Sequence, residues 1–225
     1  MTIRKNLVII AAGFCLTATS GVALAWPSFD GGSSGSSSSP GQALAMQKKI
    51  VGEYALGEMS VLKAQSHFAL AYGDKKGAAK LEAVEKTLSS GAITDKHLRA
   101  ATKLSKSDSK QLATDLAHKK IMTAAGRKQY VEGAVFYAGG VLALTKVVPQ
   151  YKNFVTAAQH SISAAPFTQV LSVKRQLATG MFLAANTPAY VRGLVQTSSQ
   201  LVNYARRNNI KLPASATSGL GNLKS

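Results

Sequence analysis

The chain has 225 residues, of which 46% are hydrophobic, and 27 lysine and arginine residues against 10 aspartate and glutamate residues give a formal net charge of +17. This length suits one domain with a real core, and the hydrophobic fraction excludes wholesale disorder. The single cysteine, Cys15, excludes a disulfide-stapled scaffold and a thiolate metal cluster.

The first 25 residues have the pattern of a secretory signal peptide. Arg4 and Lys5 provide a positive start, an apolar stretch follows over residues 7–16, and small residues end the pattern at Ala25. A membrane anchor needs about 18 to 20 strongly apolar residues, which is more than this stretch supplies. We therefore expect cleavage near Ala25 and a periplasmic or secreted protein.

The rest of the chain predicts one helical domain between two flexible segments. Residues 26–41 are dominated by glycine and serine, a composition typical of flexible linkers. Over residues 42–210 apolar residues recur at helical spacing without the alternation that indicates strands. We predict an all-α bundle of about six helices over residues 42–210. A loose tail is predicted over residues 211–225, where proline, alanine, serine and glycine accumulate.

Capping residues and prolines indicate where the helices of this bundle begin. Thr94 is expected to cap one helix, because its side-chain oxygen can accept from the first free backbone amides. A long helical region is predicted over residues 107–148, and Gly126 is expected to kink or divide it. Thr187 followed by Pro188 indicates a further start, since proline is well tolerated in a first helical turn.

Glu58 lies within the apolar stripe of the first predicted helix, and Gln65 falls on the same face. Burial of an isolated carboxylate is costly, so the group must be neutralised, paired or hydrated. One hypothesis is a polar site in which Glu58 and Gln65 face a ligand, a metal or a partner cation such as Arg127. The alternative is a structural polar pair that sets helix register, or an edge of the stripe that reaches water.

Aromatic residues gather around the most apolar run, residues 134–148. Tyr130 and Tyr137 are the candidates for lining a groove that binds an acyl chain or an amphipathic peptide. The alternative is that these aromatic side chains simply belong to the core. The run itself is interpreted as a buried core helix, since it is shorter than a membrane span.

Charge is distributed unevenly along the chain. Every acidic residue lies between Asp30 and Glu132, whereas residues 133–225 hold nine lysines or arginines and no carboxylate. Such a basic half attracts polyanions. The alternative is a solvated basic face that keeps the protein soluble. Sequence-specific nucleic-acid binding is not expected, because the cations are not interleaved with aromatic residues. The candidate cations of an anion-binding surface are Lys174, Arg175, Arg192, Arg206 and Arg207.

No motif predicts a catalytic residue, a cofactor or a metal. Asp115 and His118 have the spacing of half a di-metal bundle site, but the other half of that pattern is missing. No serine lies in a Gly-x-Ser-x-Gly elbow, and Gly139 with Gly140 lies in a helical run instead of a phosphate-binding loop.

These observations favour a non-enzymatic binding or interaction protein. Its expected partner is an anionic envelope component or another envelope protein, and the same charge is compatible with peripheral membrane contact. One alternative is a helical carrier of a small amphipathic or lipid ligand. A second is an enzyme with Glu58 as general base, and a third is a membrane-active protein that inserts residues 134–148. The pattern indicates no oligomeric state.

Overall fold

The computed structural model describes residues 40–91, 93–119, 121, 123–221 and 223. The predicted signal peptide and all but the last two residues of the predicted linker lie outside the described residues. The described chain forms eight helices and no strand, so the all-α prediction is confirmed for this part of the molecule. The helices are α1 (Pro40–Ala71), α2 (Lys75–Ser89), α3 (Asp95–His118), α4 (Ala124–Val147), α5 (Gln150–Ala164), α6 (Val170–Gln176), α7 (Ala178–Arg207) and α8 (Ala214–Gly221).

The C-terminal region corrects two predictions, the count of about six helices and the loose tail from residue 211. Residues 214–221 form α8, which buries Ala216, Gly219 and Leu220 in the core. Its small residues allow a close approach to α4, since a Cβ added at Gly219 would lie 3.0 Å from Ala138 Cβ. Alanine, serine and glycine are therefore packing residues here, although their accumulation predicted a flexible segment.

Helix α1 lies at the centre of the bundle and packs antiparallel to α4. A Cβ added at Gly57 would lie 3.3 Å from Gly140 O, and one added at Gly133 would lie 3.1 Å from Ala64 O. The two helices thus pair along their length, with the start of α4 next to the end of α1. Glycines at the contact points let the two backbones approach each other closely.

The predicted capping residue Thr94 is confirmed, because its side chain accepts from His97 N at the start of α3. The predicted helical region over residues 107–148 is divided, but its start and the position of the break differ from the prediction. Residues 107–118 belong to α3, which begins at Asp95, and Thr123 caps α4 by accepting from Gly126 N at 2.9 Å. Gly126 therefore lies in the first turn of a new helix. It neither kinks nor divides an existing one.

The predicted helix start at Thr187 is also wrong. Helix α7 spans 30 residues and continues without a break past Pro188. Thr187 is buried, and its Oγ1 atom accepts a hydrogen bond of 3.0 Å from Tyr151 OH of α5. The threonine therefore binds a neighbouring helix instead of capping its own. Helix α7 lies parallel to α3. Ser105 of α3 meets Tyr190, and Ile121, three residues beyond the end of α3, donates its backbone N–H to Tyr204 OH near the end of α7.

Candidate functional site

One side of α1 presents polar groups to the bundle interior. Glu58 and Gln65 are both fully buried, with no exposed fraction. They lie seven residues apart, a spacing that brings two helical side chains to the same face. The expectation that both lie within the apolar stripe is therefore confirmed.

Hydroxyl groups from three helices surround Glu58. Tyr54 OH of α1 and Thr102 Oγ1 of α3 form a hydrogen bond of 2.7 Å. Ser105 Oγ of α3 and Tyr190 OH of α7 form a second hydrogen bond. Tyr190, Ser105 and Tyr54 all interact with the carboxyl group. Glu58 thus lies where α1, α3 and α7 meet, and we call Tyr54, Glu58, Thr102, Ser105 and Tyr190 the polar junction.

Gln65 extends the polar junction by two helical turns. Its Nε2 atom donates to Ser105 O and to Ser109 Oγ, each at 2.9 Å. Both acceptors belong to α3, so this single side chain fixes how α1 and α3 are aligned along their axes. Such specific pairing is the recognised use of polar residues at core positions.

Burial raises the pKa of Glu58 from its ordinary value of 4.5 to about 7. The cause is the loss of hydration, which disfavours the charged form. The hydroxyls of Tyr190 and Ser105, together with the charge of Lys106, lower the pKa and oppose this rise. They do not cancel it, because neither Glu58 oxygen accepts a well-formed hydrogen bond. The carboxyl group therefore changes its charge close to neutral pH.

The neighbouring phenols stay neutral over the same range. Burial, with a further contribution from the Glu58 charge, raises the pKa of Tyr54 and of Tyr190 well above 10. Both remain hydroxyl groups at any physiological pH and can donate hydrogen bonds. The polar junction thus has one proton to release, and Glu58 holds it.

Nothing in this arrangement brings a substrate to Glu58. A general base must contact the group from which it takes a proton, and Glu58 has no exposed surface. The two best-defined pockets are shallow surface features of about 590 and 440 Å³, and Glu58 lines neither. The geometry supports a structural junction whose stability depends on protonation.

Arg127, the predicted partner cation of Glu58, lies elsewhere. It is exposed in the first turn of α4 and lines the 590 Å³ pocket with Lys128 and Glu132. The neighbouring Gly126 is next to Ala71 at the end of α1. Ala71 is 13 residues beyond Glu58, which corresponds to about 20 Å along the helix. The antiparallel pairing of α1 and α4 therefore separates Arg127 from the carboxyl group.

The predicted ligand-lining tyrosines are core residues. Tyr130 and Tyr137 are fully buried on α4. Their hydroxyls donate to Leu201 O at 2.7 Å and to Leu194 O at 3.1 Å, both on α7. Neither tyrosine lines the two best-defined pockets. These side chains join α4 to α7, which agrees with the core alternative.

The five predicted anion-binding cations are all exposed. They do not form a single cluster, because Lys174 and Arg175 lie on α6, before the start of α7, whereas Arg206 and Arg207 lie at its far end. A helix of 30 residues is about 45 Å long. Arg206 and Arg207 line the 440 Å³ pocket, between α7 and Ala117 of α3.

The sequence analysis missed a stripe of cations on α3. Its members follow one another at alternating spacings of three and four residues, which places them on one helix face. Four of them are exposed, and Lys106 is partly exposed. The alternating spacing is visible in the sequence itself, as a local pattern within the uneven charge of the chain. We call Lys96, Arg99, Lys103, Lys106 and Lys110 the basic stripe.

Two members of the basic stripe bind aromatic rings at its edge. The Arg99 guanidinium lies 3.9 Å from the centre of the Phe182 ring, and Lys106 Nζ lies 5.7 Å from that of Tyr190. Both rings belong to α7. The basic stripe therefore follows the seam between α3 and α7.

The described residues contain no group of three or more His, Cys, Asp or Glu side chains placed to hold a metal ion. No single helix among them has the length and apolar character to cross a membrane, and only the pair α4 and α5, bent by 41°, does so jointly.

Comparison with known proteins gives no relative. No family model matches the chain, and no curated protein or solved structure is significantly similar to it.

Proposed function

We propose that the protein is a non-enzymatic binding protein of the periplasm or the secreted fraction, and that its basic face engages an anionic component of the cell envelope. The observation that best supports this proposal is the basic stripe. Of its five cations, only Arg99 has a carboxylate partner among the described residues, Asp95 at 2.6 Å. Lys106 is partly exposed and lies over the Tyr190 ring, whereas the exposed Lys96, Lys103 and Lys110 are available to an external anion.

Charge is segregated on the two sides of α3. Two of the three aspartates of α3, Asp108 and Asp115, lie on a side apart from the basic stripe, whereas Asp95 pairs with Arg99. Burial raises the pKa of Asp108 to about 7, and the carboxylates of Asp115 and Asp74 contribute to the rise. Acidic groups thus accumulate near the start of α2 and leave the outer face of α3 positive. Such separation of charge makes the electrostatic potential at the basic stripe more positive than the same net charge would if it were spread evenly.

Helix α7 continues the basic face beyond α3. It lies parallel to α3 and exposes Arg192, Arg206 and Arg207. The stripe from Lys96 to Lys110 is itself about 21 Å long. A polyanion of this length can contact several cations at once, whereas a small anion can contact only one or two.

Substitution of lysines on two helices tests the proposal. The variant Lys96→Gln, Lys103→Gln, Lys110→Gln removes three exposed members of the basic stripe. The matched control, Lys75→Gln, Lys76→Gln, Lys80→Gln, removes three exposed lysines of α2 and changes the net charge equally. Affinity for heparin, a soluble polyanion, is measured by titration at several salt concentrations.

We expect the α3 variant to bind about tenfold more weakly, since each exposed ion pair contributes about 0.2 to 1 kcal/mol. The α2 control should retain most of the affinity. Binding of the unmodified protein should weaken steeply with salt, because charges are screened over about 10 Å at 0.1 M. Equal losses in both variants would show that only net charge matters, and salt-independent binding would refute the electrostatic mechanism.

A further inference from the structure

The corner between α5 and α7 exposes large apolar side chains. Phe167 is 97% exposed and Leu171 is 60% exposed, whereas Val173 and Leu177 are buried beneath them. The other large apolar residues exposed on the described surface, Leu56 and Val135, lie apart on α1 and α4. We call residues 166–177 the apolar corner.

The exposed apolar and cationic residues of the apolar corner share one helical face. Val170 N donates to Pro166 O at 3.1 Å, which extends the helical turn back to Phe167. Leu171, Lys174 and Arg175 follow Phe167 at offsets of four, seven and eight residues. These offsets place two apolar and two cationic side chains on the same side of the helix.

A buried side chain of α1 holds the apolar corner in place. Gln47 Nε2 donates to Gln176 O at 2.7 Å, and Gln47 Oε1 accepts from Gly180 N at 2.9 Å. Gln47 therefore satisfies the last carbonyl of α6 and an amide in the first turn of α7, where backbone groups lack partners within their own helices. The exposed face is thus fixed before any partner arrives, which lowers the entropy cost of binding.

We infer that the apolar corner docks on an anionic phospholipid bilayer. Phe167 and Leu171 enter the boundary between headgroups and acyl chains, while Lys174 and Arg175 contact the lipid phosphates. This inference rests on the proposed function and names the partner of the basic protein as a membrane surface.

The chemistry of this face favours a bilayer over a free polyanion. Interfacial helices have this pattern, an aromatic and a leucine side chain next to lysine and arginine. Their apolar groups insert into the bilayer, and their cations reach the headgroups. A soluble polyanion would use the cations and leave Phe167 in water. Residues 133–225 contain no carboxylate, so this part of the chain adds no acidic group to repel anionic lipid.

A tryptophan reporter tests insertion directly. The chain has one tryptophan, Trp26, so Trp26→Phe combined with Phe167→Trp places the only indole in the apolar corner. With vesicles of equal parts phosphatidylglycerol and phosphatidylcholine, its emission should shift to the blue and be quenched by brominated lipid. The matched control combines Trp26→Phe with Leu56→Trp, at a position that is also exposed. Its emission should not change.

A binding assay separates this inference from the proposed function. The variant Phe167→Ser, Leu171→Ser keeps every charge, and we expect it to bind the same vesicles about tenfold more weakly, because both side chains lose apolar burial. The control Leu56→Ser should bind as the unmodified protein does. The double serine variant and the Leu56→Ser control should both keep full affinity for heparin, because heparin binding needs only the cations.

The outcomes decide between the two proposals. If heparin binding persists while the indole at position 167 shows neither shift nor quenching, the apolar corner does not insert and the inference fails alone. Equal vesicle binding by the serine variant and the unmodified protein would lead to the same conclusion. If the unmodified protein binds neither heparin nor anionic vesicles at low salt, the inference and the proposed function both fail.

Discussion

Helix α1 packs against two neighbours in opposite ways. Toward α4 it presents Gly57, and the facing residues of α4 include Gly133 and Gly140, so the two backbones come into close contact. Toward α3 it presents Tyr54, Glu58 and Gln65, whose polar atoms approach or bond those of the facing helix. Packing against α4 at these glycines depends on the absence of side chains. Packing against α3 depends on the chemistry of the side chains between the two helices.

The difference shows that one helix can separate two requirements of a bundle. Close packing at these glycines gains dispersion contacts without any polar side chain to satisfy, whereas farther along α1 His67 contacts Gln129 and Glu132 of α4. The polar side fixes the alignment of α1 with α3, but it leaves a carboxyl group in an apolar interior. The contact between Gly57 and Gly140 should therefore respond to volume and not to pH, whereas the α3 side should respond to protonation.

The largest expected effect is that Glu58→Gln removes the Glu58 contribution to the pH dependence of the free energy of unfolding. The pKa of Glu58 is 4.5 in its ordinary state and about 7 in the fold, so the folded protein binds this proton more tightly. The associated stability is fully present below pH 4.5 and is lost as the pH rises through about 7. A rise of this size corresponds to about 3 kcal/mol. The free energy of unfolding of the variant should gain about that much relative to the unmodified protein between pH 4 and pH 8.5.

Urea denaturation at a series of pH values measures this change, and Asp108 supplies the control. The pKa of Asp108 is also raised to about 7, so it contributes to the pH dependence of the unmodified protein over the same range. Asp108→Asn removes that contribution and leaves the Glu58 contribution in place. A stability difference between Glu58→Gln and the unmodified protein that stays constant with pH would contradict the assigned titration.

The next largest effect concerns the α4 side and compares two adjacent glycines. A Cβ added at Gly140 would lie 2.9 Å from both Gly57 O and Val61 N, which are backbone atoms that cannot move aside. One added at Gly139 meets nothing within 4 Å. Gly140→Ala should lower the free energy of unfolding by about 2 kcal/mol. Gly139→Ala should raise it by up to about 1 kcal/mol through helix propensity.

Thermal unfolding followed by circular dichroism measures both glycine variants. Neither change should depend on pH between 4 and 8.5, since no titrating group lies at this contact. If Gly140→Ala were as stable as Gly139→Ala, the two helices would have room that the structure does not show.

The sequence allowed the all-α fold and the burial of Glu58 and Gln65 to be predicted, because helical periodicity places residues on faces. It did not give the partners of these residues. Ser105 and Tyr190 are 85 residues apart, and nothing local indicates that they meet. Arg127 was assigned to Glu58 on charge alone, whereas the direction of α4 decides where that cation lies.

Local signals also failed where tertiary packing overrode them. Thr187 with Pro188 resembles a helix start, yet α7 continues through it and turns the threonine hydroxyl toward Tyr151. The composition of α8 resembles that of a linker, but its small residues pack against α4. The basic stripe, in contrast, needed no tertiary information, since its three-and-four spacing lies entirely within one helix.

The smallest effect tests whether the polar junction acts as one unit. Tyr190 is the hydroxyl group that most lowers the pKa of Glu58. Tyr190→Phe should therefore raise that pKa above about 7 and cost about 1 kcal/mol of stability through the lost bond to Ser105. A carbon-13 NMR titration of the Glu58 carboxyl group measures the pKa directly. Tyr137→Phe is the control, because its hydroxyl donates to Leu194 O outside the junction.

The control should cost a similar free energy of unfolding and leave the Glu58 titration in place. A parallel fall in both variants would indicate general loosening of the core, because entering water lowers a pKa that burial has raised. A fall in the pKa of Glu58 in Tyr190→Phe alone would show that the phenol disfavours the charged carboxylate. In that case the Tyr190 hydroxyl would stabilise the protonated acid.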